Sequence, residues 1–284
     1  MRHEVITGDN VTEMRRMDAD TFDLCVTSPP YDNLRRYQGY SFDFEATAKE
    51  LYRVIKPGGV VVWVVGDATV DGSETGTSFR QALFFKDECG FNLHDTMIYE
   101  KEGLTMNHNR YEQSFEFMFV LSKGRPKTFN PIMVPCRYHG KDSERAGTFY
   151  AATDERFSKR RGGKERNNIQ PEKIKGNIWR YHTGSGHTTP DAFAFAHPAM
   201  FPERLAADHI LSWSNEGDTV LDPFCGSGTT GKMAVITKRN FVGIEISEEY
   251  AALSRARIKR ASGEWAEIPR LNRRQIETPL FGTA

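Results

Sequence analysis

The chain has 284 residues, a formal net charge of zero, and 38% hydrophobic and 27% charged residues. This balance is typical of a soluble globular protein, long enough for one large α/β domain with an insertion or for two small domains. No apolar run reaches the roughly 18 residues that cross a membrane, and the opening MRHEVITGDN lacks the apolar core of a signal peptide.

Strand-like and helix-like patterns alternate along the chain. Phe22–Val26 and Val60–Gly66 are apolar runs of the kind that sheets bury on both faces. Two further strand runs end at Asp222 and Ile246, and the stretch between them, TTGKMAVITK, is helical in pattern. Helices that alternate with buried strands predict an α/β fold with a doubly wound, mostly parallel sheet.

Two segments depart from this alternation. Asn92–Lys101 and Ser114–Gly124 have the pattern of two arms of an antiparallel hairpin, which we expect at the edge of the sheet. The helical pattern that precedes Val60 is expected to stop at Pro57-Gly58-Gly59.

Charge is unevenly distributed. Gly124–Gly176 contains 13 Lys and Arg against 6 Asp and Glu, a net of +7. Arg160, Arg161 and Lys164 lie in its most basic part. A solvated loop region explains such a run and is favoured on charge alone. A surface that faces nucleic-acid phosphates is the alternative, because clustered cations gain affinity by displacing counterions.

A glycine-rich loop follows the third of the strands named above. DPFCGSGTTGKMA begins at Asp222, and Gly226, Gly228 and Gly231 satisfy G-x-G-x-x-G. Such a loop lets a ligand approach the backbone at a helix N-terminus, and Glu245 at the end of the next strand can accept hydrogen bonds from ribose hydroxyls. The pattern predicts a bound nucleoside, but it does not distinguish a dinucleotide from another nucleoside.

Three motifs together resemble those of DNA methyltransferases that modify exocyclic amines. They are TSPPY (Thr27–Tyr31), HPAMFPERL (His197–Leu205) and LDPFCGSGTTG. The first resembles the catalytic motif of that family, and the last its cofactor loop. Their order is that of the β group, in which the catalytic motif comes first, a target-recognition insertion lies in the middle and the cofactor loop comes last. Phe201 departs from the pattern, because many relatives carry lysine there.

The resemblance implies a seven-stranded, Rossmann-like methyltransferase sheet with an inserted target-recognition region. The implied division is a catalytic half at 1–123, a recognition insertion at 124–189, a cofactor-binding half at 190–261 and a tail at 262–284. It also implies S-adenosylmethionine as the cofactor and double-stranded DNA as a partner.

The family's catalytic roles carry over to Ser28, Pro29, Pro30 and Tyr31. The Ser28 hydroxyl and the Pro29 carbonyl are expected to accept hydrogen bonds from the target amine, and the two prolines to fix where that carbonyl points. Tyr31 is expected to stack on a base flipped out of the duplex. Serine before Pro-Pro is more common among cytosine-N4 enzymes and aspartate among adenine-N6 enzymes, with exceptions, so the target base stays open.

The resemblance assigns the cofactor-binding residues as follows: Asp222, Phe224, Gly226, Gly228 and Thr229 around the methionine part, Glu245 at the ribose, Ile246 beside the adenine, and Asp9 near the adenine amine. For Asp9, an N-cap of the helix that follows is an equal alternative.

Assembly and rival functions complete the expectations. Resemblance to the β group suggests a homodimer, and the hairpin arms around Tyr99 and Phe117 could form its contact, although core packing explains those aromatics equally well. A nicotinamide-dependent oxidoreductase and a catalytically inactive DNA-binding regulator are the rival functions. Four scattered cysteines and the absence of metal-ligand spacings lead us to expect a cytoplasmic protein with reduced thiols and no metal site.

Overall fold

The computed structural model describes residues 1–30, 42–102, 111–137, 170–184, 186–197 and 200–267. The chain divides into two compact units, one formed by Met1–Asn130 with Asn177–Ala284 and the other by Pro131–Gly176. The smaller unit spans fewer residues than the predicted insertion at 124–189, whose functional boundaries stay a prediction. Its strands β8 (Met133–Pro135) and β9 (Glu172–Ile174) pair in antiparallel fashion.

The larger unit is built on one sheet. Its strands are β1 (His3–Thr7), β2 (Phe22–Thr27), β3 (Ile55–Val65), β6 (Asn92–Glu102), β7 (Phe115–Ser122), β10 (Ile178–His182), β11 (Thr219–Asp222) and β12 (Asn240–Glu245). They lie in the order β1-β12-β11-β2-β3-β7-β6-β10. All neighbours are parallel except β7, which is antiparallel to both β3 and β6. Two short strands, β4 (Thr69–Val70) and β5 (Ser73–Glu74), form a separate hairpin.

The sheet therefore has eight strands and not the seven that the resemblance implied. The additional strand is β10, in which Trp179 and Tyr181 are buried while the alternate residues are exposed. It pairs with β6, so the predicted hairpin of β6 and β7 is confirmed but its position at the edge is wrong. Tyr99 is buried against Tyr181, with ring centroids 5.8 Å apart, which leaves core packing as the explanation for that part of the hairpin.

Helices cover both faces of this sheet. Their bounds are α1 (Asn10–Arg15), α2 (Phe44–Val54), α3 (Thr77–Asp87), α4 (Glu203–Trp213), α5 (Thr229–Ile236) and α6 (Glu248–Ala261), with a 3₁₀ turn at Ala192–Ala196. On one face Trp63 packs against Phe85 of α3, with ring centroids 5.0 Å apart. On the other, Met118 Sδ lies 3.2 Å from Nε2 of His209 on α4. This is the doubly wound arrangement that the sequence predicts.

The α2–β3 junction differs from its prediction. The helix ends at Val54 and the strand begins at Ile55, so Pro57-Gly58-Gly59 lies within the irregular start of β3. A Cβ atom at Gly59 would come within 2.9 Å of the Asp23 carbonyl oxygen on β2. Glycine is required here because the backbones of the two strands approach closely.

The parallel strands end at a common edge of the sheet. Thr7, Glu245, Asp222, Thr27 and Val65 are the last residues of five successive strands. Open α/β sheets bind ligands outside the carboxyl ends of their strands, so the site is expected at this edge.

Candidate active site

The motif TSPPY lies directly beside the glycine loop. Ser28 and Pro29 follow β2, and Asp222 ends the neighbouring strand β11. The Thr27 hydroxyl donates to Asp222 Oδ1 over 2.7 Å. Pro29 is buried, while Ser28 and Pro30 are partly exposed. Two segments that are far apart in the sequence therefore meet at one point of the edge.

The glycine loop turns sharply into α5. Gly228 caps the helix in the left-handed conformation with φ of 82°, and Gly226 has φ of 50°. A Cβ atom on Gly226 would lie 3.0 Å from the ring of His197, and one on Gly228 would meet the Ser254 side chain. These glycines are needed both for their backbone conformation and for the close packing around the loop. Thr229 begins α5, so the backbone amides of this helix start, which have no acceptor within the helix, lie next to the carboxyl end of β11.

Glu245 is held by backbone amides on both sides. Its Oε2 accepts from the Gly226 amide over 2.7 Å and its Oε1 from the Ser247 amide over 3.0 Å. Burial raises the pKa of this carboxyl above its ordinary value, while the amide hydrogen bonds act in the opposite direction. Each carboxylate oxygen has a second lone pair, so Glu245 can still accept hydrogen bonds from a ribose. Ile246 follows it and is partly exposed.

Asp222 is the most buried acid of the site. Its side chain accepts from Thr27 and from the Phe224 amide, the latter over 3.1 Å. Burial raises its pKa to about 6, although hydrogen bonds from Thr27 and the Phe224 amide favour the ionised form. The Phe224 ring packs edge-on against Phe42, with ring centroids 5.1 Å apart, and so anchors the loop to the aromatic core.

Asp9 lies at the neighbouring strand end. The Gly8 amide donates to the Glu245 carbonyl over 2.9 Å, which places Asp9 close to Ile246 along the edge. Its Oδ1 accepts from both the amide and the hydroxyl of Thr12, each over 2.8 Å. The predicted N-cap of α1 is therefore present, and the exposed side chain keeps lone pairs that a ligand could use.

A buried ion cluster behind the loop has no counterpart in the sequence predictions. Arg257 on α6, only 1% exposed, donates to the Ser227 carbonyl and the Thr229 hydroxyl, each over 3.1 Å. The carboxylates of Asp191 and Glu203 both form ion pairs with Arg257. Both also form ion pairs with Lys232, each over 2.8 Å. The cluster ties the loop to the HPAMFPERL segment. Nothing in the sequence of α6 separates Arg257 from the surface arginines around it, so no local signal could have identified it.

The third motif contacts the loop through His197. Its ring lies over Gly226 and packs edge-on against Tyr250, with ring centroids 4.6 Å apart. Four predicted site residues lie outside the part of the chain that the structure describes: Tyr31, Arg160, Arg161 and Lys164.

Metal-binding clusters and membrane spans are absent from the described part of the chain. Within residues 1–30, 42–102, 111–137, 170–184, 186–197 and 200–267, no three His, Cys, Asp or Glu side chains are grouped so as to hold a metal ion. The helices of these same ranges are all too short or too polar to cross a bilayer.

Comparisons with known proteins define the class. Residues 22–256 match the family model described as DNA methylase. The chain is 55% identical over 246 residues to the orphan methyltransferase M.BamHII of Bacillus amyloliquefaciens, with 84% of this chain and 89% of that protein covered. It is 28% identical over 279 residues to the DNA adenine methyltransferase YhdJ of Escherichia coli (strain K12), with 93% and 85% covered.

Solved structures share the fold. The PvuII DNA methyltransferase, described as cytosine-N4-specific, matches with a TM-score of 0.66 and 20% identity over 97% of this chain and 90% of that chain. M1.HpyAVI in complex with S-adenosylmethionine matches with a TM-score of 0.57 and 21% identity over 89% and 98%.

The chain belongs to the DNA methylase family, whose members methylate exocyclic amines of bases with S-adenosylmethionine. It is a DNA amino-methyltransferase, and the nicotinamide-dependent alternative is without support. The site fits the cofactor chemically. Asp222 and Glu245 offer buried carboxylate oxygens for its ammonium group and ribose, and the N-terminus of α5 offers amides for its carboxylate.

We expect Gly228→Ala to destabilise the protein more than Gly263→Ala. Both glycines have positive φ, 82° and 86°, so both substitutions carry backbone strain of about 1 kcal/mol. At Gly228 the new Cβ also lies 3.1 Å from Ser254 Cα, whereas at Gly263 it meets nothing within 4 Å. Denaturant unfolding should show an additional loss of roughly 1–3 kcal/mol for Gly228→Ala. Equal losses in the two variants would contradict tight packing of the loop.

We expect Asp222 to lower the stability of the cofactor-free protein as pH rises from about 4 to about 6. Its folded pKa lies above the ordinary value of 3.8, so the folded state binds more protons in this window and the ionised form is the costly one. The difference between the folded and the ordinary pKa corresponds to a loss of about 3 kcal/mol in the free energy of unfolding. Unfolding free energies of wild type and Asp222→Asn should converge at pH 4 and separate above pH 6, with the variant favoured. Parallel pH profiles would show that the carboxyl ionises normally.

Proposed function

We propose that this enzyme methylates the N4 amine of cytosine in double-stranded DNA. The supporting observation is the hydrogen bond between Thr27 and Asp222, which brings the segment Ser28-Pro29 beside the cofactor loop. A methyl donor held at that loop and a base held at Ser28 would then lie next to each other, which is the arrangement that a direct transfer requires.

The chemistry assigned to the chain is positioning and polarisation. An exocyclic amine is a poor nucleophile because its lone pair is delocalised into the ring. Hydrogen bonds from the amine to the Ser28 hydroxyl and the Pro29 carbonyl draw the nitrogen out of conjugation and stabilise the positive charge that develops on it. Bound S-adenosylmethionine supplies an activated methyl group, so the chain itself forms no covalent intermediate.

The remaining site residues position either the base or the cofactor. Pro29 and Pro30 have fixed φ angles and hold the carbonyl of the first proline in one direction. Tyr31 stacks on the flipped base and offsets part of the cost of unstacking it. Thr229 and the amides that follow it bind the methionine carboxylate, and Ile246 and Asp9 border the adenine.

The choice of cytosine rests on Ser28. Serine before Pro-Pro is the more common residue in enzymes of this family that act on cytosine N4, and aspartate in those that act on adenine N6. The rival proposal of an inactive DNA-binding regulator gains nothing from the structure, because the complete Ser-Pro-Pro segment lies at the strand edge where a catalytic site is expected.

We also propose a homodimer in the cytoplasm, where DNA and S-adenosylmethionine are both present in bacteria. Burial of Tyr99 removes part of the hairpin as a contact surface. Phe79 and Leu83, one turn apart on α3, are 52% and 53% exposed and form the alternative surface. Basic residues of the insertion, including Arg160, Arg161 and Lys164, are proposed to hold DNA phosphates.

We expect N4-methylcytosine in the DNA of cells that express the wild-type chain, and none when Ser28→Ala is expressed. Mass spectrometry of digested nucleosides makes the measurement. Calorimetry should show that Ser28→Ala and Tyr31→Ala bind S-adenosylmethionine within a few-fold of wild type, whereas Glu245→Ala binds it much more weakly. N6-methyladenine as the product would overturn the choice of base, and no methylated base at all would favour the inactive regulator.

Charge reversal of Arg160, Arg161 and Lys164 to glutamate should weaken binding to all DNA sequences alike. Interactions with phosphates carry no sequence information, and the slope of log affinity against log salt should fall by roughly 1 for each phosphate that is no longer neutralised. The matched control reverses Arg15, Lys86 and Lys238, which are exposed near helix ends away from the site edge. Equal affinities for the two triple variants, measured by fluorescence anisotropy, would indicate a merely solvated segment.

Sedimentation at micromolar concentration should give a species of twice the chain mass of 32.3 kDa. Replacing Phe79 and Leu83 together by serine should shift it towards the monomer, because the dimer interface then buries less apolar area. Leu211→Ser on α4, at a site 44% exposed, is the control and should leave the dimer intact. A monomer for wild type with and without DNA rejects the dimer.

A further inference from the structure

The two motifs of the site are joined by side chains and not by the sheet alone. Between β2 and β11 the backbone register pairs Val220 with Leu24 and Leu221 with Cys25. The next contact along the same direction is the hydrogen bond from the Thr27 hydroxyl to Asp222 Oδ1. Thr27 is completely buried and Asp222 is 2% exposed, so water does not compete for this bond.

A second hydroxyl also connects the cofactor loop to β2. Thr230, in the first turn of α5, is completely buried and donates to the Val26 carbonyl over 3.1 Å. The cofactor loop is thus attached at both of its ends to two consecutive residues of β2, Val26 and Thr27. The next residue in the chain is Ser28.

We infer that Thr27 is a positioning residue, which transmits the placement of the cofactor loop at Asp222 to the amine acceptors at Ser28 and Pro29. The inference rests on the proposed function, in which Asp222 faces the methyl donor and Ser28 the target amine. Transfer requires the nitrogen, the methyl group and the leaving sulfur to lie in line, and a displacement of about 1 Å can cost roughly a hundredfold in rate. The hydrogen bond between Thr27 and Asp222, the last residues of β2 and β11, fixes the distance between the cofactor loop and the amine acceptors.

The test compares three variants at saturating cofactor and DNA. Thr27→Val keeps the β-branched shape and loses the donor, and Thr27→Ser keeps the donor. Ser122→Ala removes a hydroxyl from a fully buried serine at the end of β7, which runs antiparallel to β3 and therefore ends away from the site edge. We expect single-turnover methyl transfer to fall about tenfold or more for Thr27→Val, with cofactor affinity changed only a few-fold. Thr27→Ser and Ser122→Ala should keep nearly the wild-type rate.

A double-mutant cycle identifies the partner. If Thr27 acts through Asp222, the loss of rate caused by Thr27→Val should largely vanish in an Asp222→Asn background measured at saturating cofactor. Should Thr27→Val not fold, Thr27→Ala also removes the donor and carries the same test, and an unchanged single-turnover rate in it overturns the inference.

The outcomes separate the two proposals. Absence of any methylated amine with wild-type enzyme refutes the proposed function. A wild-type enzyme that methylates, with Thr27→Val as fast as Ser122→Ala, refutes the positioning role alone.

Discussion

Asp222 places a carboxylate in the interior of the protein, 195 residues from the threonine that donates to it. A buried carboxylate must have hydrogen-bond donors or it becomes too costly to keep ionised. The donors here come from β2 and from the glycine loop, so satisfying one acid draws these two segments of the site together. The positions of the catalytic motif and of the cofactor loop follow from this requirement.

The ion cluster around Arg257 supports the same loop from behind. Two cations and two anions are held together, with Arg257 almost entirely shielded from water. Buried ion pairs contribute little net stability, because desolvation offsets most of their attraction. Their geometry is exacting, however, and a guanidinium that bonds both Ser227 and Thr229 restricts the loop to one conformation. The cluster therefore contributes order at the site more than it contributes stability.

The sequence predicts the turns at Ser28-Pro29-Pro30 and at the glycine loop because the signals for them are local. Glycine and proline have distinctive backbone constraints, so the turns that end β2 and β11 could be read from a few residues. The eighth strand was missed because the sequence before Ile178–His182 is basic and has no hydrophobic pattern, and because the alternation of the strand itself spans only five residues. The hairpin was placed at the edge for the same reason. Arg257 was beyond reach, since its role depends on Asp191 and Glu203, which come near it only in the folded chain.

The position of β10 has a consequence for how such enzymes diversify. β7 leads into the segment Pro131–Gly176 and β10 follows it, and both strands are bonded to β6. The end of β7 at Ser122 is level with Asn92 of β6, and the start of β10 at Ile178 is level with Ile98, so the sheet holds these two strand ends six residues of β6, or roughly 20 Å, apart along the strand direction. Closing a loop between fixed ends depends only weakly on its length, at about 0.6 kcal/mol for each doubling. Evolution can lengthen, shorten or exchange this segment at small thermodynamic expense, while the strand ends at the edge of the sheet stay as they are.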